Sequence, residues 1–297
     1  MPIRVTAVMK TDPGRVRERN EDSAYILVPP APHDDTALLV VADGMGGYRA
    51  GDEASRIAVE TIAAEMEPLF ASTTEQPTKR LSVEPEDDRD TVVLPETEAS
   101  HYYGGFITRA VHRANDHILA YGQEHREARG LGSTVTMVVV AGNRAYFANV
   151  GDSRTCLYRA GHLRAITRDH SLVAKLVEAG QIEPDDVYDH PKRNLIYRSL
   201  GTDHDDVEVD LFEEELYPGD ILLLCSDGLW EKVRAPLIEG VLAAEDDLDV
   251  AASRLIQMAN DAGGEDNITV ILARCFGSRD DDISQADTGE SATVQSQ

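Results

Sequence analysis

The sequence predicts an α+β layered domain, and three observations carry that reading. Strand-like apolar runs follow one another in sets joined by short turns. Helical stretches are grouped between those sets, where an alternation of single strands and helices would instead indicate a parallel sheet. No fixed-period repeat is present, and the composition, 42% hydrophobic and 28% charged, is that of an ordinary soluble globular chain with mass enough for a sizeable core.

Taken in order, Arg4–Lys10, Ser23–Val28 and the run TALLVVA at Thr36–Ala42 are apolar or alternating with β-branched residues, which predicts three strands. From Asp52 to Phe70, Ile57, Val59, Ile62, Ala63, Met66 and Leu69 recur near helical spacing behind an acidic first turn that suits the helix dipole. Residues 73–98 carry three prolines and eight acids with little periodicity and are expected to be a disordered insert. A second helix is predicted over Tyr102–Glu127. Gly132–Val140, Arg144–Val150 and Thr155–Tyr158 are strand-like runs separated by Gly-Asn and Gly-Asp-Ser turns, which predicts an antiparallel meander.

A helix at Ser171–Ala179, an acidic turn at Pro184–Asp186 and a basic stretch at His190–Arg198 follow. Strands resume at Val207–Phe212 and Asp220–Cys225, then helices at Pro236–Ala244 and Leu248–Ala262, then a closing strand at Asn267–Arg274. From Ser278 the chain is rich in Ser, Asp and Gln and is expected to be a disordered tail.

The charge narrows the function. With 28 Lys+Arg against 54 Asp+Glu the net charge is −26, which disfavours nucleic acid, because binding that polymer requires cations. The longest apolar runs, Val135–Ala141 and Ile221–Cys225, are strand-sized, so no membrane span is expected. The start, Met1-Pro2-Ile3-Arg4, lacks the features of a secretory leader. Cys156, Cys225 and Cys275 are odd in number and far apart, which argues against a disulfide framework or a zinc cluster and for a cytoplasmic location.

Four aspartates share a position. Asp43, Asp152 and Asp227 each end an apolar strand run and Asp266 immediately precedes one, so all four can converge at one sheet end. Such a cluster repels itself unless a cation neutralises it, and all-oxygen donors select Mg²⁺, Mn²⁺ or Ca²⁺. Asp43-Gly44 and Asp227-Gly228 let backbone approach an ion, although Asp-Gly alone is a common turn dipeptide. Arg17 in Arg17-Glu18-Arg19-Asn20-Glu21-Asp22 can fork onto two phosphate oxygens while Glu21 or Asp22 holds metal or its water; alone, the segment would read as a solvated loop.

The ordered set Arg17-x-x-Asn20-Glu21-Asp22, Val41-Ala42-Asp43-Gly44-Met45-Gly46-Gly47, Gly132-Ser133-Thr134, Asn149-Val150-Gly151-Asp152-Ser153-Arg154, Cys225-Ser226-Asp227-Gly228-Leu229 and Glu265-Asp266-Asn267-Ile268-Thr269-Val270 closely resembles the PPM family of metal-dependent Ser/Thr protein phosphatases, the protein phosphatase 2C type, in its bacterial form. The resemblance covers about Thr6 to Cys275 and implies one catalytic domain, residues 1–277, ahead of a tail at 278–297. It also implies a four-layer α-β-β-α sandwich with two central antiparallel β-sheets flanked by helices.

By the same resemblance Asp43 bridges two Mn²⁺ or Mg²⁺ ions, Asp227 and Asp266 complete one ion's shell, and Glu21 with the Gly44 carbonyl completes the other's. Asp152 matches the ligand of a third ion, Asp22 a partner of metal-bound water, and Arg17 the clamp on the substrate phosphate. The implied activity is hydrolysis of phosphoserine and phosphothreonine in proteins by a water or hydroxide bridging two ions. The implied partners are phosphoproteins, a Ser/Thr kinase and its substrates, and a monomer is expected.

No cysteine is followed by Arg six residues on, and no G-x-x-x-x-G-K-[ST] loop is present, so phosphocysteine and nucleotide-dependent transfer are unsupported. Met45 stands where many eukaryotic relatives carry a proton-donating His, which leaves the general acid unassigned. His170 is a weaker candidate for that role, against a structural one before the helix. Lys192, Arg193 and Arg198 form a basic island that could steer phosphopeptides, against ordinary surface charge. Trp230 is expected to pack in the core. Two alternatives are a weakly catalytic metal-binding regulatory domain of the same fold and a two-metal nuclease; an intact set of acidic ligand positions disfavours the first and the net charge the second.

Overall fold

Residues 3–31, 33–46, 50–70, 98–125, 128–202 and 207–277 are described by the computed structural model. One five-stranded sheet runs in the order β1 (Arg4–Asp12), β11 (Ile268–Phe276), β10 (Ile221–Cys225), β7 (Arg154–Arg159), β8 (His162–Ala165). The other runs β2 (Asp22–Leu27), β3 (Thr36–Met45), β5 (Val135–Ala141), β6 (Arg144–Val150), β9 (Asp210–Glu215), with the two-residue β4 (Gly132–Ser133) paired to the end of β3. Their pairings are antiparallel.

The layering follows from strand alternation. In β3, Leu39 and Val41 point one way, to meet Phe147, Leu157, Leu222, Leu224 and Ile271 between the sheets. Leu38 and Val40 point the other way, against Ile62 of α1 (Ala50–Met66) and Ile107 and Ile118 of α2 (Glu98–Glu124). On the far side, Leu223, Val270 and Leu272 meet Ile238 of α5 (Ala235–Ala244) and Leu255 of α6 (Leu248–Asp261). Central strands buried on both faces read as unbroken apolar runs, and the result is the expected α-β-β-α sandwich. Two shorter helices are α3 (Leu172–Glu178) and α4 (Asp227–Trp230), the latter starting at one of the strand-end aspartates.

Several expectations are corrected. The meander over 132–158 does not form: β5 and β6 make a hairpin, but β7 belongs to the other sheet. The crossing is made at Gly151, whose φ of +106° few other residues adopt. The run from Gly132 is broken at Thr134, which turns its backbone onto Asp43. β9 starts at Asp210 in place of Val207; Val207 and Val209 bury their side chains against the α1–α2 layer without joining the ladder. β8 and α4 were not expected. β8 is a polar, exposed edge, and α4 is a single turn, too short for periodicity to show. The proposed insert lies outside the described residues except Glu98, which opens α2, and the tail from Ser278 also lies outside them.

Candidate metal and phosphate site

Register brings the acids together. Asp22 on β2 pairs with Asp43 on β3, while in the facing sheet Asp227 follows β10 and Asp266 precedes β11. Because β10 and β11 are antiparallel, the end of one lies beside the start of the other. Asp152 reaches the same place from the turn between β6 and β7. Arg17, Glu21, Asp43, Gly44, Asp152, Asp227 and Asp266 line one cavity of about 220 Å³. Of the metal and phosphate ligands expected from the sequence, Asp22 alone is absent from that lining. It stands behind Asp43, its Oδ2 accepting from Ser226 Oγ at 2.7 Å.

The supporting contacts explain why these side chains stand where they do. The Asp43 backbone is gripped from both sides: Thr134 Oγ1 accepts from its N–H at 3.0 Å, and Ser133 Oγ donates to its carbonyl at 3.0 Å. Asn267 ties the loop holding Arg17 and Glu21 to β11. Its Oδ1 accepts from Glu21 N at 2.7 Å, and its Nδ2 donates to the carbonyls of Arg19 at 2.7 Å and Pro13 at 3.0 Å. Ser55 on α1 donates to the Glu21 carbonyl at 2.6 Å. A Cβ on Gly51 would sit 2.8 Å from Glu21 Oε2 and 2.9 Å from the Gly44 carbonyl, so the bare glycine keeps those two oxygens open to a common space.

The electrostatics are those of crowded carboxylates. Burial, then the charges of Asp22, Asp227 and Asp152, pushes the Asp43 carboxyl well above its ordinary range. Burial, then Asp152 and Asp266, does the same to Asp227. Burial and Asp169 raise Asp152 to about 7, and burial raises Asp22 to about 6. Glu21 is also raised by burial, with Arg17 opposing. Burial disfavours the Arg17 cation, but Asp266, Glu21 and Asp227 outweigh it and hold the proton more firmly. Oδ1 of Asp22 and Oδ1 of Asp227 are buried without a hydrogen-bond partner, an expensive state for a carboxylate.

These features fit hard divalent cations, which would satisfy the orphaned oxygens and cancel the repulsion. Among the described residues no three His, Cys, Asp or Glu side chains already close around one point; Asp266 Oδ2, for instance, accepts from Arg17 at 2.8 Å. The acids ring a cavity instead of forming a single cage, an arrangement suited to ions that keep part of their water.

Sequence reasoning missed several residues here. Thr134, Asn194 and Ile196 line the cavity, and Ser226 and Asn267 hold the acids from behind. Met45 lines it too and offers no proton. His170 is 2% exposed and absent from the lining; Gly151 N donates to its Nδ1 at 3.0 Å, so the structural reading holds. The basic island is mostly spent on neighbours: Arg193 pairs with Glu231 and Arg198 with Glu208 and Asp210. Trp230 is buried as expected and also donates from Nε1 to the Asp152 carbonyl at 3.0 Å.

The sequence profile of the family described as Protein phosphatase 2C matches residues 17–272. The serine/threonine phosphatase stp of Listeria welshimeri is 36% identical over 266 residues, covering 90% of this chain and 94% of that protein. The crystal structure of the serine/threonine phosphatase Stp1 from Staphylococcus aureus superposes with a TM-score of 0.76 at 32% identity, covering 92% of this chain and 96% of that one. The crystal structure of the catalytic domain of the serine threonine protein phosphatase PstP, in complex with 2 manganese ions, gives a TM-score of 0.72 at 32% identity, over 93% of this chain and 100% of that one. With the profile spanning most of the sequence and the sandwich shared at this identity, the chain belongs to the protein phosphatase 2C family.

Proposed function

We propose that the protein hydrolyses phosphoserine and phosphothreonine in proteins, using two Mn²⁺ or Mg²⁺ ions in the carboxylate-lined cavity and a third at Asp152. The observation that carries this reading is one cavity lined by a half-exposed guanidinium and five acids, two of them, Asp43 and Asp227, pushed far from their ordinary range by burial and mutual charge. In this reading Asp43, Asp227 and Asp266 would hold one ion, and Asp43, Glu21 and the Gly44 carbonyl the other. Bound there, divalent ions would supply Lewis acidity, offsetting the carboxylate charge, lowering the pKa of nearby water and drawing charge from phosphoryl oxygens.

The residues divide the remaining work. Arg17 forks onto two non-bridging oxygens of the phosphate at the cavity mouth and holds the phosphorus in line for attack. Asp22, kept in place by Ser226, orients the attacking water from behind. The water oxygen forms a bond to phosphorus and passes one proton to neighbouring water in the cavity as the phosphorus–seryl oxygen bond breaks. The seryl oxygen takes its proton from water in the cavity, since Met45 has none to give, and inorganic phosphate leaves. In the cell this activity would reverse a Ser/Thr kinase.

The relatives named serine/threonine phosphatases and the manganese in the PstP structure support this reading. With purified protein, p-nitrophenyl phosphate and Mn²⁺ should yield nitrophenol, and EDTA should stop the release. Turnover that persists after complete removal of divalent ions would reject the proposal.

A further inference from the structure

The turn that carries Asp152 is held by a residue outside the cavity. Gly151 N donates to His170 Nδ1 at 3.0 Å, and His170 N donates back to the Gly151 carbonyl at 2.9 Å. The neighbouring Asp169 grips the other end of the same turn. Its carboxylate accepts from Arg154 Nε and Nη2, the latter at 2.6 Å, and the Arg154 guanidinium lies 3.5 Å from the centre of the Trp230 ring, which donates to the Asp152 carbonyl. Both Arg154 and Asp169 are largely buried, so this is a packed clamp and not a surface ion pair.

The far edge of the His170 ring meets a second wall. The Gly151 N–H donates to Nδ1, and at the other edge of the ring Nε2 lies 3.2 Å from Asp210 Oδ2 and 2.9 Å from Arg198 Nη1. Arg198 Nη1 donates to the other oxygen of Asp210 at 2.8 Å, and Tyr197 N donates to the His170 carbonyl at 2.9 Å. Tyr197 and Arg198 directly follow Asn194 and Ile196 of the cavity lining. His170 therefore touches both the turn that carries Asp152 and the segment that contributes Asn194 and Ile196 to the cavity lining.

We propose that His170 is a positioning residue that fixes Asp152 for the third ion and, through Asp210 and Arg198, sets the placement of the 194–198 segment against the substrate. This rests on the phosphatase reading above. Side-chain partners of metal ligands are commonly worth about 10–100-fold in metal affinity.

Two conservative variants separate the ring's two edges. His170→Asn keeps an acceptor near the Nδ1 position but cannot reach Asp210; His170→Gln reaches toward Asp210 but abandons the Gly151 N–H. Free Mn²⁺ is followed by electron paramagnetic resonance during titration of the full chain, beside melting curves and steady-state kinetics on a phosphothreonine peptide. For His170→Gln we expect the weaker class of bound Mn²⁺ to lose about tenfold in affinity while the tighter class holds. For His170→Asn we expect both classes to be retained and KM for the peptide to rise several-fold more than kcat falls. Equal weakening of all Mn²⁺ classes, or wild-type titration and KM in both variants, would overturn the proposal while leaving the phosphatase reading intact. A wild-type chain that binds no Mn²⁺ would overturn both.

Discussion

Arg17 shows how one side chain serves two demands. It pairs with Asp266 at 2.8 Å, and it remains half-exposed and able to meet a phosphate. Charge-assisted bonds of this kind are worth about 1.5–3 kcal/mol each. Arg17→Ala is therefore predicted to lower kcat/KM on a phosphopeptide by roughly a hundredfold, a loss of about 2–3 kcal/mol, while Mn²⁺ binding measured by titration persists. The main acids were legible because aspartate at a strand end is an unusual and repeated pattern. Ser226 and Asn267 stand inside the recognised motifs, but their roles were not legible, because they act through hydrogen bonds to residues about 200 or more positions away.

At the scale of elements, the second residue of α1 is a glycine, Gly51, because the site leaves no room for a side chain there. A methyl at Gly51 would strike the Glu21 carboxylate and the Gly44 carbonyl, whereas alanine in a helix is otherwise favoured by about 0.5–1 kcal/mol. Gly51→Ala should thus weaken Mn²⁺ binding at least tenfold with melting temperature nearly unchanged in EDTA, read by titration beside thermal unfolding. The central strands were readable from their unbroken apolar runs and the long helices from their period. The β6-to-β7 connection was misread, because a hairpin turn and a sheet-crossing turn share the same Gly-Asp-Ser chemistry. What separates them is the helix layer each strand meets on its outer face: Ala148 and Val150 pack with α1 and α2, Cys156 and Tyr158 with α5 and α6. The later start of β9 has a similar origin: Val207 and Val209 are buried against the α1–α2 layer, and burial alone does not report strand pairing.

For the molecule as a whole, the net charge of −26 first speaks only against nucleic acid. Residues 73–98 contribute eight acids against Lys79, Arg80 and Arg89, and the tail from Ser278 five against Arg279. The acids that matter for chemistry are the few that the fold concentrates, and they make the ion-free chain sensitive to pH. Asp152 at about 7 and Asp22 at about 6 lie above the unfolded carboxylate value of about 3.9. Groups raised in this way bind more protons folded than unfolded, so their contribution to stability grows as pH falls through about 7 and 6 and is lost as pH rises again. In EDTA the melting temperature should therefore rise between about pH 8 and 6, and saturating Mn²⁺ should raise it at pH 8 and flatten the slope. A melting temperature indifferent to Mn²⁺ at pH 8 would contradict this.

The central claim is that carboxylates brought together from both sheets hold the ions that make phosphoester hydrolysis possible. It is tested most directly by inorganic phosphate release from a phosphothreonine peptide at saturating Mn²⁺, comparing wild type with a folded Asp227→Asn variant. The account predicts Mn²⁺-dependent release by the wild type and a loss of at least a hundredfold in kcat for the variant, roughly 3 kcal/mol of transition-state stabilisation. Equal turnover by the two proteins would contradict it.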